Sequence, residues 1–550
     1  MNEDQAQGEH QDNAGPSVSA PLDENHDREA FFVEFTKSDD EVSEDDVHPT
    51  LWAWNDMLIA DGKPPLDPRI RKEDAAVSSG LVGHTNSGAA AKRVKTNGDE
   101  PPKHKAMLPI PWIHADRCTA DQYVDVAKED KYNAFIEDPW VDSAEIKDVQ
   151  EMFPKDACAV LVMGGGWSGL LYAIRMVEAG VEPKDIRIVD TAGGLGGTWY
   201  WNRYPGLHCD IESYLYLPLL EETGYIPKHR YSYGDEIREY ANLCAEKWGL
   251  LNSCVFRTRA KKLDWRDKLR YWEIELEQSL LDGPPGTSQP STKSLTVRSR
   301  FVVTANGVLN SPKLAGVPGM LDFKGDIFHT ARWNYGVTGG TQADPSLTKL
   351  KDKRVAIIGT GTTAIQVIPH LGRWAKHLYV VQRTPAGVDR RDQRETDPEW
   401  FAKEVATGPG WQRERIKNFN GLFTTDPEKR PQVDLVADQW STLEGAAGIL
   451  GDVHTPKDIE HLPEHVEKIK IRDNLRQERI RKRVEEEVKS PELAKKLQAW
   501  YPSWCKRPAF HDEYLSTFNR DNVTLLDTNG KGLDRITEDS IVIGMYNLPR

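Results

Sequence analysis

"ACAVLVMGGGWSG", residues 157–169, decides the fold. Ala157 to Met163 is an unbroken apolar run, the pattern of a strand buried on both faces as in a parallel sheet. "LLYAIRMVEAG", 170–180, has the apolar spacing of a helix and stops at Gly180. "IRIVD", 186–190, supplies a second short strand, so the stretch reads as one β-α-β unit. Its first turn carries Gly164-x-Gly166-x-x-Gly169. There the first glycine permits a tight turn and the second lets backbone approach a pyrophosphate. The third allows the helix to pack on the strand, and the helix N-terminus offers the positive end of its dipole. Asp190 tips the second strand, where a carboxylate accepts hydrogen bonds from ribose hydroxyls and repels a 2′-phosphate. This unit is expected to hold FAD or NAD.

A second unit begins at "KRVAIIGTGTTAIQVIPHL", 353–371, with "HLYVVQR", 377–383, as its second strand. The turn is a looser version, Gly359-x-Gly361-x-x-Ala364, and the strand ends in Gln382-Arg383-Thr384 instead of an acid. Arg383 can meet a 2′-phosphate with two parallel charge-assisted bonds, which points to NADP. An acid-tipped and an arginine-tipped fold in one chain describe an enzyme that carries electrons from NADPH to a flavin. The competing reading is two glycine-rich turns and a surface arginine. A disulfide reductase of similar architecture needs a close cysteine pair beside the flavin. Cys118, Cys158, Cys209, Cys244, Cys254 and Cys505 contain none, which leaves oxygen chemistry leading.

Composition narrows the class further. The 550-residue chain has net charge −15 and so offers no basic face to a nucleic acid. No apolar run reaches the ~20 residues of a membrane helix. The acidic start "MNEDQAQGEHQDNAGPS" is the reverse of a signal or transit peptide, so a soluble, reduced, cytoplasmic protein is expected. "HLPEH", 461–465, matches a zinc pattern formally, but Pro463 and a loop-like context make it a coincidence, and no metal is expected.

The expected fold class is α/β: two Rossmann-like dinucleotide-binding domains, the FAD domain interrupted by the NADPH domain, with a helical insertion and an N-terminal extension. Residues 1–105 read as largely disordered and low in complexity. Within them "HPTLWAWNDMLIADG", 48–62, suits a small helical piece, and "AAAKRVKTN", 89–97, reads as a solvated basic patch before a nuclear-import signal. Residues 106–155 form an arm packing on the core, 156–335 the FAD domain with a charged hairpin around 282–293, and 336–505 the NADPH domain. The charged run 456–499 reads as solvated helix surface, and 506–550 as an incomplete return to the FAD domain. "GGTWYWNRYPG", 196–206, followed by Cys209-Asp210, must either close a core or lie against a large flat ligand.

"FKGDIFHTARWN", 323–334, closely resembles the Baeyer–Villiger monooxygenase fingerprint F-x-G-x-x-x-H-x-x-x-W-(P/D), through Phe323, Gly325, His329 and Trp333, with Asn334 departing from the last position. "GGTWYWNRYPG", "KRP" at 506–508 and "FNRDNVTLLDT" at 518–528 are similar to segments of the same family. The resemblance runs from about residue 157 to 543, and the N-terminal arm resembles that of members acting on bulky ketones. It implies FAD and NADPH as cofactors, a ketone and O2 as substrates, an ester or lactone product, and a place in secondary metabolism. Thr198, Trp199, Tyr200, Trp201, Asp210 and Tyr216 would contact FAD, and His208, Cys209 and Asp210 would also face NADP. Thr360, Gly361, Thr362, Thr363, Ala364, Ile365 and Gln366 would lie under the NADP pyrophosphate. Arg383, Thr384 and Lys506 would hold its phosphate and ribose end.

By the same resemblance, Arg507 would be the active-site arginine and Asp210 its carboxylate neighbour. A permanently charged guanidinium stabilises negative charge on a reacting oxygen without competing for its proton. A dry aromatic wall would protect the oxygen chemistry from water. His329, counted with the cofactor-binding set, reads as a satisfied interdomain histidine before an acid–base catalyst. The chain ends "ITEDSIVIGMYNLPR", where the family continues with a strand and an A-T-G-F-type segment closing the FAD domain. The resemblance therefore implies a C-terminally truncated member. The alternatives are an inactive nucleotide-binding relic and a flavin N- or S-oxygenase.

Overall fold

A computed structural model describes residues 123–124, 126, 130–281, 291–423, 430–443, 460–544 and 546–549. The expected helical piece at 48–62, the basic patch at 89–97 and the rest of 1–105 lie outside the described residues.

The apolar run becomes β1 (Ala157–Met163), followed by α1 (Trp167–Glu178) and β2 (Ile186–Val189). Beyond α2 (Gly234–Lys247) come β3 (Cys254–Val255), β4 (Thr258–Arg266), β5 (Tyr271–Ser279) and β6 (Thr292–Thr304). These six strands form one sheet in the order β3-β2-β1-β6-β5-β4. The first four are mutually parallel, with β1, β2 and β3 buried, while β4, β5 and β6 form an antiparallel meander. The expected charged hairpin is thus a three-stranded extension of the first sheet. Its alternating exposed charges are the pattern of a sheet with one face in water.

The second unit repeats the plan with β7 (Arg354–Ile358), α3 (Thr362–Trp374) and β8 (His377–Gln382). After β9 (Val388–Asp389) and α4 (Leu462–Glu487), the chain pairs β10 (Ala509–Phe510) with β9 and then adds β11 (Val523–Asp527). The second sheet is parallel in the order β11-β8-β7. One hydrophobic cluster runs through both units, from Val160 and Ile188 to Ile357, Val380 and Val523.

Two expectations need correction. Residues 506–527 lie with the second unit, because β10 and β11 pair with β9 and β8. Backbone pairing with the first unit comes later, where Ile536 N donates to Pro318 O and Lys324 N to Glu538 O. Nor is the charged helix simply solvated: Asp473, Arg476, Gln477, Arg481 and Arg483 of α4 are buried. Arg483 donates to Val388 O and His511 O, so α4 frames the β9–β10 pair from which site residues project. Pro463 stands in the first turn of α4, where a missing N–H costs nothing, so this stretch is a helix start and not a loop.

The described residues of the arm lie against the first unit. Tyr123–Val124 pairs antiparallel with Leu314–Ala315, and Tyr132 and Phe135 pack with Met320 and Ile536. Asp138 accepts from Gly193 N at 2.9 Å and from the Tyr200 hydroxyl at 2.8 Å, which pins the arm to the aromatic loop.

Candidate cofactor and active site

The first glycine turn is built to tight tolerances. A Cβ on Gly164, where φ is +118°, would stand 2.2 Å from Ala305 O, and one on Gly169 would stand 1.9 Å from Gly164 O. α1 opens at Gly166 with no side-chain cap, so its first N–H groups are available to an anion. At the tip of β2, Asp190 accepts from Gly165 N at 2.6 Å and Ala192 N at 2.8 Å. Burial pushes its carboxyl above the usual range, against those two bonds. Further donors such as ribose hydroxyls would relieve that penalty. An uncapped helix start beside an acid fits the adenosine half of FAD.

The second turn is open where the first is crowded. A Cβ on Gly359 or Gly361 would meet nothing within 4 Å, and α3 also starts without a side-chain cap. Thr360 Oγ1 donates to Thr384 O at 2.8 Å, tying the turn to the end of β8. Ala364, Ile365 and Gln366 are buried, so the open space belongs to the backbone of Thr360, Gly361, Thr362 and Thr363. Arg383 is exposed just after β8. Burial and the charge of Arg383 together hold the Lys506 ammonium down to about 8. Lys506 Nζ lies 4.8 Å from the Tyr501 ring centre. Neither cation has a carboxylate partner among the described residues. Two like charges held together without an acid fit a phosphate such as the 2′-phosphate of NADP.

The aromatic loop closes on protein and faces both units. Gly196 and Gly197, at φ +119° and +55°, turn the chain into the one-turn helix Thr198–Trp201. Tyr200 and Trp201 stack edge-on and pack with Trp140 and Ala192, while Arg332 covers Trp201 at 4.1 Å. Trp199 donates from Nε1 to the Tyr216 hydroxyl at 3.1 Å. Farther on, Tyr204 donates its hydroxyl to Gln366 Oε1 at 3.0 Å and Gln366 Nε2 donates to His208 O at 3.0 Å. Gly206, with φ +75°, lets the loop approach α3: a Cβ there would stand 2.5 Å from His370 Nε2.

Asp210 stands at this junction with its side chain 7% exposed. Arg507 Nε donates to its Oδ2 at 3.2 Å, joining the two residues read as catalytic, and the Arg507 side chain remains 60% exposed. Sequence reasoning missed the other partner. Arg391, its side chain 2% exposed, donates from Nη2 to Asp210 Oδ1 at 2.6 Å and from Nη1 to Asp210 O. Its guanidinium lies 4.4 Å from the Tyr231 ring and 4.7 Å from that of Phe510. Cys209 is buried, its thiol pushed up to about 12, which leaves it inert. His208 donates from Nδ1 to Gly206 O at 2.8 Å, and burial with Arg391's charge depresses it to about 3, so it is neutral. His208 Nε2 has no hydrogen-bond partner among the described residues.

His329 behaves as a cap. Its Nδ1 accepts from Ala331 N at 3.0 Å at the start of the turn Thr330–Arg332. Trp333 is buried and donates from Nε1 to Thr338 Oγ1 at 3.1 Å. Among the described residues no group of acids, histidines and cysteines could hold a metal, and no helix is long and apolar enough to cross a membrane.

Comparison with known proteins agrees with this geometry. The family described as NAD(P)-binding Rossmann-like domain matches residues 162–223. A polycyclic ketone monooxygenase of Thermothelomyces thermophilus is 45% identical over 428 residues, 76% of this chain and 64% of that protein. A Baeyer–Villiger monooxygenase of Stachybotrys chlorohalonatus is 42% identical over 413 residues, 75% of this chain and 61% of its own length. The solved structure of a polycyclic ketone monooxygenase from Thermothelomyces thermophila superposes with a TM-score of 0.72 at 44% identity, covering 78% of this chain and 67% of that one. The chain thus spans somewhat less than two thirds of the length of these curated relatives.

Proposed function

The chain belongs to the Baeyer–Villiger monooxygenase family, and on that premise we propose that it is an FAD- and NADPH-dependent enzyme oxidising a bulky ketone. The reaction is ketone + O2 + NADPH + H⁺ → ester or lactone + NADP⁺ + water. Bound FAD, reduced by NADPH, supplies the oxygen chemistry.

The chain's own residues would do the rest. The starts of α1 and α3 and the Arg383–Lys506 pair bind the two dinucleotides, and Arg383 with Lys506 selects the phosphorylated nicotinamide carrier. The buried loop 199–204 excludes water. Arg507 offers positive charge to the oxygen that becomes negative as the ketone is attacked. A cytoplasmic location, where NADPH is supplied, goes with this reading. The observation that carries it is Arg507 beside Asp210 at the junction of an acid-tipped and an arginine-tipped dinucleotide fold.

Protein loaded with FAD should oxidise NADPH far faster than NADH, and faster again when a polycyclic ketone is added. Equal rates with the two nicotinamides, or no response to any ketone, reject the proposal. Preference for amines or sulfides over ketones would instead support the N- or S-oxygenase reading.

A further inference from the structure

Asp210 holds two arginines in unequal ways. The pair with Arg391 is dry: both side chains are almost fully buried, and the guanidinium donates to one carboxylate oxygen and to the backbone carbonyl of the same residue. Tyr231 and Phe510 clamp that guanidinium, and Asp512 accepts from Arg391 N at 2.8 Å, fixing the backbone that presents it. Arg507 is the reverse case, with a single Nε bond of 3.2 Å to the second oxygen and a side chain 60% exposed. Its two terminal nitrogens take no part in the bond to Asp210.

Charge energetics assign different tasks to the two. A carboxylate as buried as Asp210 needs a counter-charge in the same low-dielectric surroundings. A half-solvated arginine on one bond is a poor counter-charge, because water screens it. Arg391 therefore neutralises Asp210, and Arg507 is spared that duty.

We infer that Arg391 is a positioning residue for Arg507: by saturating one oxygen and the carbonyl of Asp210, it limits Arg507 to a single Nε bond and leaves its terminal nitrogens free for the reacting oxygen. The inference rests on the proposed function for what Arg507 does, but not for how Asp210 divides its bonds. Without Arg391, Asp210 Oδ1 would lose its donor inside the protein, while the Asp210 carbonyl would keep only Trp440 Nε1, which donates to it at 2.9 Å. The nearest cation able to satisfy both oxygens would be Arg507, in the two-pronged geometry arginine and carboxylate favour. That would withdraw the terminal nitrogens from the site.

The first test needs neither cofactor nor substrate. Phenylglyoxal labels accessible guanidinium groups, and peptide mass spectrometry reads its rate at Arg507 in the cofactor-free full chain. In R391M, Arg507 labelling should slow about tenfold, the factor one added charge-assisted bond confers. In the double variant R391M/D210N it should return to the parent rate, because a neutral amide cannot recruit Arg507. R391K, which keeps the charge but cannot make both of the guanidinium's bonds to Asp210, should slow Arg507 labelling only about twofold. Unchanged labelling in R391M, or slowing that persists in R391M/D210N, overturns the inference. Should R391M not fold, R391K against R391K/D210N reads the same coupling with a smaller effect, and no difference between those two also overturns it.

The second test reads turnover: R391M should lose kcat on the ketone with little change in its KM, and R391K should recover most of it. Equal losses in R391M and R391K would assign Arg391 a packing role only. A parent protein inactive on every ketone would reject the proposed function while leaving the labelling result to decide this inference.

Discussion

Tyr204 of the aromatic loop donates its hydroxyl to Gln366 on α3 across 3.0 Å, and Gln366 returns a bond to His208 O, so two side chains stitch the two dinucleotide folds together. Gln366 is buried, and each bond lies where water cannot replace it. Q366L should therefore cost about 2–3 kcal/mol, because it leaves the Tyr204 hydroxyl and the His208 carbonyl unsatisfied. Thermal unfolding measures the loss. Y204F removes only one bond and should cost less than half as much; the opposite order would show that the link does not hold the units together.

The two glycine turns should respond oppositely to one methyl group. G169A places a Cβ 1.9 Å from Gly164 O and should prevent the first unit from folding, read as loss of soluble protein or of FAD retention. G361A meets nothing within 4 Å at an ordinary φ, so the protein should fold normally and melt at the parent temperature. It should nevertheless bind NADP⁺ at least about tenfold more weakly, since the methyl group fills space a pyrophosphate needs. Parent-like affinity in G361A would move the nucleotide away from this turn.

Affinity for NADP⁺ should fall as pH rises through about 8, where Lys506 loses its proton. The sign follows from the phosphate: the protonated ammonium binds it and the neutral amine does not. Burial and the Arg383 charge both lower Lys506, so R383A should weaken NADP⁺ binding and also move the pH midpoint upward. Calorimetric titration between pH 6.5 and 9.5 separates the two effects. NAD⁺ affinity should be flat across this range in both proteins, and a slope there would contradict the assignment.

His329 offers a discriminating substitution. As a cap accepting from Ala331 N, it should be replaceable by Asn, whose side-chain oxygen accepts the same bond, with activity largely kept. H329A should cost about 1 kcal/mol of stability and leave the chemistry in place. An inactive but stable H329N would instead make His329 part of the reaction.

The parts of this fold legible in the sequence are those fixed by neighbours along the chain. Ala157 to Gly169 and Arg354 to Ala364 each carry strand, turn and helix start within a dozen or so residues, so the pattern is complete locally. Arg391 was invisible because its partner Asp210 lies 181 residues away and arginines abound in "DRRDQRE". The only sequence hint was a charged run directly after the buried strand β9. Helix α4 misled for a related reason. Its i,i+4 pair Arg483–Glu487 looks like any solvent-facing pair, yet Arg483 is buried by what the tertiary fold lays over it. The boundary near 506 was misplaced because β11 reveals its sheet only through its partner, β8.

Oxygen transfer itself is the most direct measurement. The purified chain, supplied with FAD, NADPH and a polycyclic ketone under ¹⁸O2, should yield an ester or lactone carrying a single ¹⁸O atom by mass spectrometry. Recovery of the ketone unchanged, or a product bearing oxygen from water alone, would contradict the account.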